Sequence, residues 1–206
     1  EKLSPLAPAH QPHNLAGINA ISAVWPDLPQ VACFDTAFHR TQPRLAQLFA
    51  IPRALSDEGI LRYGFHGLSY DYIASRLPDL LPEEKRRRVI VLHLGHGASL
   101  CAMKDGKSIA TSMGFTALDG LMMGKRCGAI DPGVIFHLQR DKGLSLSEVE
   151  AILSSKSGLL GVSGGISSDM RDLISSDTPE AREAVDLFIY RCISQIGAKA
   201  ALLGGV

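Results

Sequence analysis

Apolar positions recur along this chain with two periods, and the change from one to the other marks its elements. The run Val89 to Leu94 is apolar and largely β-branched, and it breaks at Gly95 and Gly97, which reads as a buried strand entering a tight turn. A second strand, Ala98 to Met103, meets Lys104-Asp105-Gly106-Lys107, whose Asp-Gly step signals a hairpin. A third strand follows from Ser108 to Ser112. A short strand is also predicted from Val31 to Phe34, with Asp35 at its carboxyl end.

The helical period occupies most of the rest. Pro8 and Pro12 make residues 6–14 extended or turn-like, and Asn14 caps a helix carrying Leu15, Ile18, Ile21 and Val24 on one face until Pro26. Residues 44–62 read as helical turns broken by Pro52 and Gly59. A helix from about Ser69 turns Tyr72, Ile73 and Leu77 inward, and the stretch Pro78 to Arg88, with its EEKRRR run, reads as a solvated crossing between two domains. Asp131-Pro132 starts a helix reaching about Lys142. Ser145 to Glu148 is a capping-box signature ahead of a stripe of Leu146, Val149, Ile152 and Leu153. Residues 157–171 form a second small-residue loop. Thr178-Pro179 opens the longest helix, with Val185, Phe188, Ile189, Cys192 and Ile196 on its apolar face and Gly204 closing it.

Composition narrows the class. The 206 residues suffice for one large or two small domains, and 21 basic against 21 acidic residues give no footprint for nucleic acid or an anionic membrane. The cysteines Cys33, Cys101, Cys127 and Cys192 show no paired spacing and read as reduced, mostly packed thiols. No apolar run reaches the length of a membrane span and no signal-peptide core is visible, so a cytoplasmic protein is expected. The absence of an initiator methionine and the LLGGV end suggest a piece of something longer.

The candidate chemistry starts at the Gly95 to Gly97 turn, where small residues let backbone N–H groups approach an anion. It is not a Walker loop, since no Gly-Lys-Ser/Thr ends it, nor a Rossmann fingerprint, since a hairpin follows. Read alone, an ordinary glycine-rich hairpin is the better reading of it. His66, bracketed by Gly64 and Gly67, suits an approaching phosphoryl group or is a plain loop histidine. Asp35 sits where α/β proteins collect ligands, or is a turn cap. Arg126 offers a planar fork of donors to phosphoryl oxygens, or forms a surface ion pair. His10 and His13 stand three apart without an acidic or cysteine companion, and His93, His96 and a cysteine lack metal-ligand spacing.

The segments FDTAFHRTQP, RYGFHGLSY, HLGHGAS and TSMGFTALDGLMMGKRCGAIDPG, in that order, resemble the acetate kinase family, or more broadly the short-chain carboxylate kinases that include propionate kinase; the likeness runs from about Leu6 to Val206. The resemblance implies an α/β, ribonuclease-H-like two-domain fold of the actin, sugar kinase and heat-shock superfamily, present here in part. Residues 1–88 would be the later half of the first domain and 89–206 the first part of the second, with nucleotide in the cleft between them. The activity implied is reversible phosphoryl transfer from ATP to acetate, giving acetyl phosphate and ADP. Asp35, His66 and Arg126 match the catalytic set. His93, Leu94, Gly95, His96 and Gly97 match the phosphate contacts, and Asp169, Met170 and Arg171 the base and ribose side.

On the substrate side, His10 and Phe65 match positions near the carboxylate, and Ala9 and Ala117 replace a usual Leu and Pro in a way that bears on pocket size. His96 replaces the usual Asn of the nucleotide loop, and Leu68 and Tyr70 replace Thr and His. The family's NSGSSS phosphate segment, its HRVVHGG arginine and its FTAGIGEN loop are absent, as is the later glutamate linked to Mg2+. No metal ligand is therefore expected within this span. The implied partners are a small carboxylate and, for the full-length protein, a second copy in a homodimer. A catalytically silent nucleotide-binding or dimerisation fragment, and a full-length enzyme preferring propionate, are the alternatives.

Overall fold

The computed structural model describes residues 11–206. In chain order its elements are α1 (Gln11–Val24), a 3-10 turn (Ala37–Thr41), α2 (Arg44–Gln47), α3 (Arg53–Asp57), α4 (Gly67–Leu80), α5 (Glu83–Arg86), β1 (Arg88–Leu94), β2 (Ala98–Lys104), β3 (Lys107–Thr111), α6 (Pro132–Arg140), α7 (Leu146–Ser155), α8 (Gly158–Val162), α9 (Met170–Ile174) and α10 (Pro179–Leu203).

The three strands form one antiparallel sheet in the order β1-β2-β3, with Leu94 opposite Ala98 and Arg88 opposite Lys104. Asp105 and Gly106 both take positive φ (49° and 73°), the left-handed pair that a two-residue hairpin needs to match strand twist. β2 is central and buried on both faces, so its alternation sorts residues between two cores and not between core and solvent.

On one face Ala98 and Leu100 join Met113, Leu121, Met123 and Cys192 of α10, with Phe188 and Ile196 packed alongside. Farther along, Ala102 meets Ala110 and Leu203. On the other face Cys101 and Met103 pack under Tyr70 of α4, with Phe38 and Ala74 beside them. The sheet therefore lies between α10 and the pair formed by α4 and the 3-10 turn. α8 and α9 brace the first half of α10 through Met122, Leu159, Leu173, Ala181 and Ala184. Caps fall where the side chains dictate: Ser145 and Glu148 complete a capping box on α7, Thr178 caps α10, and Gly204 at φ 71° ends it.

Several sequence expectations are corrected. Val31 to Phe34 is not a strand: no strand among the described residues pairs with it, and Val31 and Phe34 stand 87% and 67% exposed. Residues 6–10 of the expected extended segment lie outside the described residues, and α1 is helical from Gln11, the first described residue, and not only after Asn14. None of its residues is buried. α4 begins at Gly67 and runs through Pro78, which occupies its last turns, so part of the expected crossing is helical. Tyr72 points outward while Tyr70 is fully buried: with 100° per residue, Tyr70, Ala74 and Leu77 share a face and Tyr72 opposes it. Leu146 and Ile189 likewise fall off the buried stripes of α7 and α10, and residues 158–162 of the expected loop are helical. Cys33 is exposed, whereas Cys101 and Cys192 are buried. Among the described residues no helix is long and apolar enough to cross a membrane.

Candidate functional site

Three pieces of chain far apart in sequence converge at the Gly95 to Gly97 turn. The first is the loop that starts α4. Its N-cap, His66, takes a left-handed conformation (φ 62°, ψ 22°), unusual for a non-glycine residue, and Asp35 holds it there. The His66 main-chain N–H donates to Asp35 Oδ2 at 2.6 Å, and the Gly67 N–H donates to the Asp35 carbonyl at 2.8 Å. His39, buried on the 3-10 turn, braces the same loop from behind. A carbonyl can only accept, so His39 Nε2–H donates to Phe65 O at 2.9 Å, which leaves Nδ1 to accept from Ser108 Oγ, also at 2.9 Å. Burial lowers the His39 pKa, in keeping with a neutral ring.

The second piece is the turn itself. The His66 and His93 rings stack with centroids 4.1 Å apart, and each Nδ1 meets a serine hydroxyl: His66 with Ser99 at 2.7 Å, His93 with Ser69 at 3.0 Å. Burial, first, and then the neighbouring His93 push the His66 pKa down to about 4, so its ring is neutral at pH 7.

The third piece is the loop after β3. Its tight turn closes with Met123 N–H on the Arg126 carbonyl, and the guanidinium is aimed by Nη1 donating to the Ala117 carbonyl at 2.6 Å. Gly158 (φ 63°) keeps α8 against this turn; a Cβ there would press on the carbonyls of Met123 and Arg126. Arg126 is half-buried and, among the described residues, has no carboxylate partner; burial lowers its pKa. A Cβ on Gly97 would lie 2.5 Å from Arg126 Nη2 and 3.3 Å from His66 Nε2. The missing side chain thus leaves a notch onto which a guanidinium and an imidazole converge, a donor set suited to a phosphoryl group.

Beside the notch opens a cleft of about 460 Å³. It is lined by Leu94, Gly95 and His96 of the turn, by Asp169, Met170 and Arg171 at the start of α9, and by Ala98, Met123, Leu159 and Phe188. Asp169 caps α9 through the Arg171 N–H at 2.9 Å and grips the Arg171 side chain through both carboxylate oxygens, at 2.6 and 3.1 Å. That pairing, with His96 as a smaller influence, draws its pKa down to about 2. The His96 ring rests on Gly124, where a Cβ would come within 3.1 Å of it.

The structure thus gathers Asp35, His66, His93, Gly97 and Arg126 at the notch, and Leu94, Gly95, His96, Asp169, Met170 and Arg171 around the cleft. Phe65 contributes its carbonyl to His39 and packs its ring on the core, while Ala117 contributes its carbonyl to Arg126. Ala9 and His10 lie outside the described residues. Sequence reasoning assigned no site role to Ser69, Ser99, Tyr70 or His39. Tyr70 carried a signal as the residue that replaces a usual His, and Ser99 as a polar member of β2 next to the turn.

The residues here do not fit a resident magnesium ion. Asp35 is occupied by backbone amides, Asp169 by Arg171 and Asp119 by Arg62, and no group of three or more metal-ligating side chains occurs among the described residues.

Comparison with known proteins gives consistent results. The sequence profile of the Acetokinase family matches residues 1–206. An acetate kinase of Rhodopseudomonas palustris is 57% identical over 202 residues, which are 98% of this chain and 50% of that protein. Among solved structures, acetate kinase from Porphyromonas gingivalis superimposes with TM-score 0.90 at 41% identity, covering 100% of this chain and 52% of the other. A propionate kinase from Francisella tularensis superimposes with TM-score 0.89 at 38% identity, covering 98% and 53%. The chain spans about half the length of the curated relatives it matches.

Proposed function

The chain belongs to the acetokinase family, and from that premise we propose that its site takes part in phosphoryl transfer between ATP and acetate, giving acetyl phosphate and ADP reversibly. The α/β fold is the one it shares in part with the solved acetate and propionate kinases, of the ribonuclease-H-like type. The observation that carries the reading is the notch at Gly97, onto which Arg126 Nη2 and His66 Nε2 converge, next in the chain to Leu94, Gly95 and His96, which line the cleft together with Asp169, Met170 and Arg171.

Phosphoryl transfer asks the protein to position two anions and to neutralise charge on the equatorial oxygens. In our reading the nucleotide lies in the cleft with its γ-phosphoryl at the notch. An acetate oxygen forms the new bond to phosphorus as the bond to the β-phosphate oxygen breaks, and ADP carries away the electron pair. Arg126 spans two equatorial oxygens, and the neutral His66 donates through Nε2–H to a third. An acetate nucleophile is already ionised at neutral pH and has no proton to lose. Asp35 therefore acts by orienting the His66 loop, not by handling protons, which agrees with its contacts to the His66 and Leu68 amides.

Acetate over propionate is the preferred substrate in this proposal, with wider tolerance for propionate where Ala9 and Ala117 reduce side-chain volume. We also keep the division of the chain after Arg88 into parts of two domains, Mg2+ held by residues other than those described, a homodimer and a cytoplasmic location. The relatives' double length favours a second statement: the 206 residues alone are catalytically silent. The test is a chimera in which this chain replaces the matching half of the Rhodopseudomonas palustris acetate kinase. It should form acetyl hydroxamate from acetate, ATP and hydroxylamine; a folded chimera without turnover would contradict the proposal.

A further inference from the structure

We propose that Tyr70 and Ser99 are positioning residues that hold His66 as the neutral Nε2–H tautomer, with its donor directed into the Gly97 notch. Tyr70 stands fully buried on α4, and its hydroxyl meets Ser99 Oγ at 2.5 Å; Ser99 Oγ meets His66 Nδ1 at 2.7 Å. The direction of the hydrogens along this chain follows from what each group can do. Burial raises the Tyr70 pKa, so the phenol keeps its proton. Among the described residues Ser99 Oγ is the only hydrogen-bond partner of that hydroxyl, so the phenol donates to Ser99. With that acceptance filled, the Ser99 hydroxyl turns its single proton to His66 Nδ1. His66 Nδ1 then carries a lone pair, and Nε2 carries the hydrogen. Ser99 is fully buried, and these two side chains are the hydrogen-bond partners its hydroxyl has among the described residues.

The alternative tautomer would place hydrogens from both His66 Nδ1 and Tyr70 on Ser99 and turn an Nε2 lone pair toward the notch. That lone pair would repel the oxygens of an incoming anion. The surroundings also disfavour the doubly protonated ring. His93 stacks on it from β1, Arg126 faces it from the loop after β3, and His39 lies behind it; Asp35 alone pulls the other way. The arrangement supplies a donor that is preorganised without a proton taken from solvent. Its use in phosphoryl transfer rests on the reading above, but the positioning does not.

The test is the pair of ring ¹⁵N signals of His66 in the labelled chain, assigned against His66→Gln and followed from about pH 5.5 to 8. The proposal expects one protonated Nε2 and one unprotonated Nδ1 across that range. Ser99→Ala should collapse the separation between the two signals toward a mixed tautomer, Tyr70→Phe should do so in part, and Ser99→Thr should retain it. His39, which depends on Ser108 and Phe65, serves as the internal sign of an intact fold. A wild-type ring protonated on Nδ1 would overturn the proposal whatever the variants do. So would an unchanged tautomer in Ser99→Ala with the His39 signals in place. This readout does not involve turnover, so it can fail while the kinase reading stands, and the reverse.

Discussion

Asp35 and His66, separated by 31 positions, are joined by a hydrogen bond of 2.6 Å from the His66 main-chain N–H to the Asp35 carboxylate. That contact lets a non-glycine residue keep the left-handed conformation from which its ring reaches the notch. Removing a charged acceptor from a partly buried amide costs about 1–3 kcal/mol at most. Asp35→Ala should therefore lower stability in urea by about that amount, while Asp35→Asn, whose amide oxygen still accepts, should lose less. Equal losses would mean that the carboxylate does not brace the loop.

Gly97→Ala places a methyl against the tip of Arg126, a flexible side chain that can swing away, so the fold should survive. The guanidinium would then leave its aim by about an ångström. Misplacement on that scale can cost about 10²-fold in rate. In the chimera, kcat should fall by about that factor while the urea midpoint hardly moves.

The depressed pKa of His66 makes a prediction for stability against pH. An unfolded chain binds a proton at this ring near pH ~6.5, whereas the folded one does so only at about 4. Between those values the unfolded state holds more protons, so stability should fall as pH drops from about 6.5 to 4. His39, also lowered by burial, adds to the same slope. Urea midpoints at about pH 7 and pH 5 should differ less in His66→Gln than in the wild type. An equal difference would show that His66 is no more shielded folded than unfolded.

Local patterns carried the second half of the chain well. The apolar, β-branched run, the break at Gly95 and Gly97 and the Asp-Gly step located the three strands, and the Ser145 capping box and the Thr178-Pro179 start were readable because the responsible residues are adjacent. Val31 to Phe34 has strand composition but needs a neighbour to be a strand, and composition does not supply one. The residues at the notch were legible through family motifs; their mutual support was not. Asp35 and His66, or Ser99 and His66, meet across 31 and 33 positions, and no periodicity encodes such a contact. Tyr70 was misjudged for a related reason: two tyrosines two positions apart lie on opposite faces of α4, and tertiary packing decides which is buried.

The central claim is that Arg126 in this chain's notch neutralises a transferring phosphoryl group. Acetyl hydroxamate formation should be measured for the 206 residues alone, for the chimera, and for the chimera carrying Arg126→Ala. The account predicts no turnover from the chain alone, turnover from the chimera, and a loss of about 10²–10³-fold on Arg126→Ala with the fold retained. A chimera that keeps its rate after Arg126→Ala, or a chain that turns over alone within about tenfold of the chimera, would contradict it.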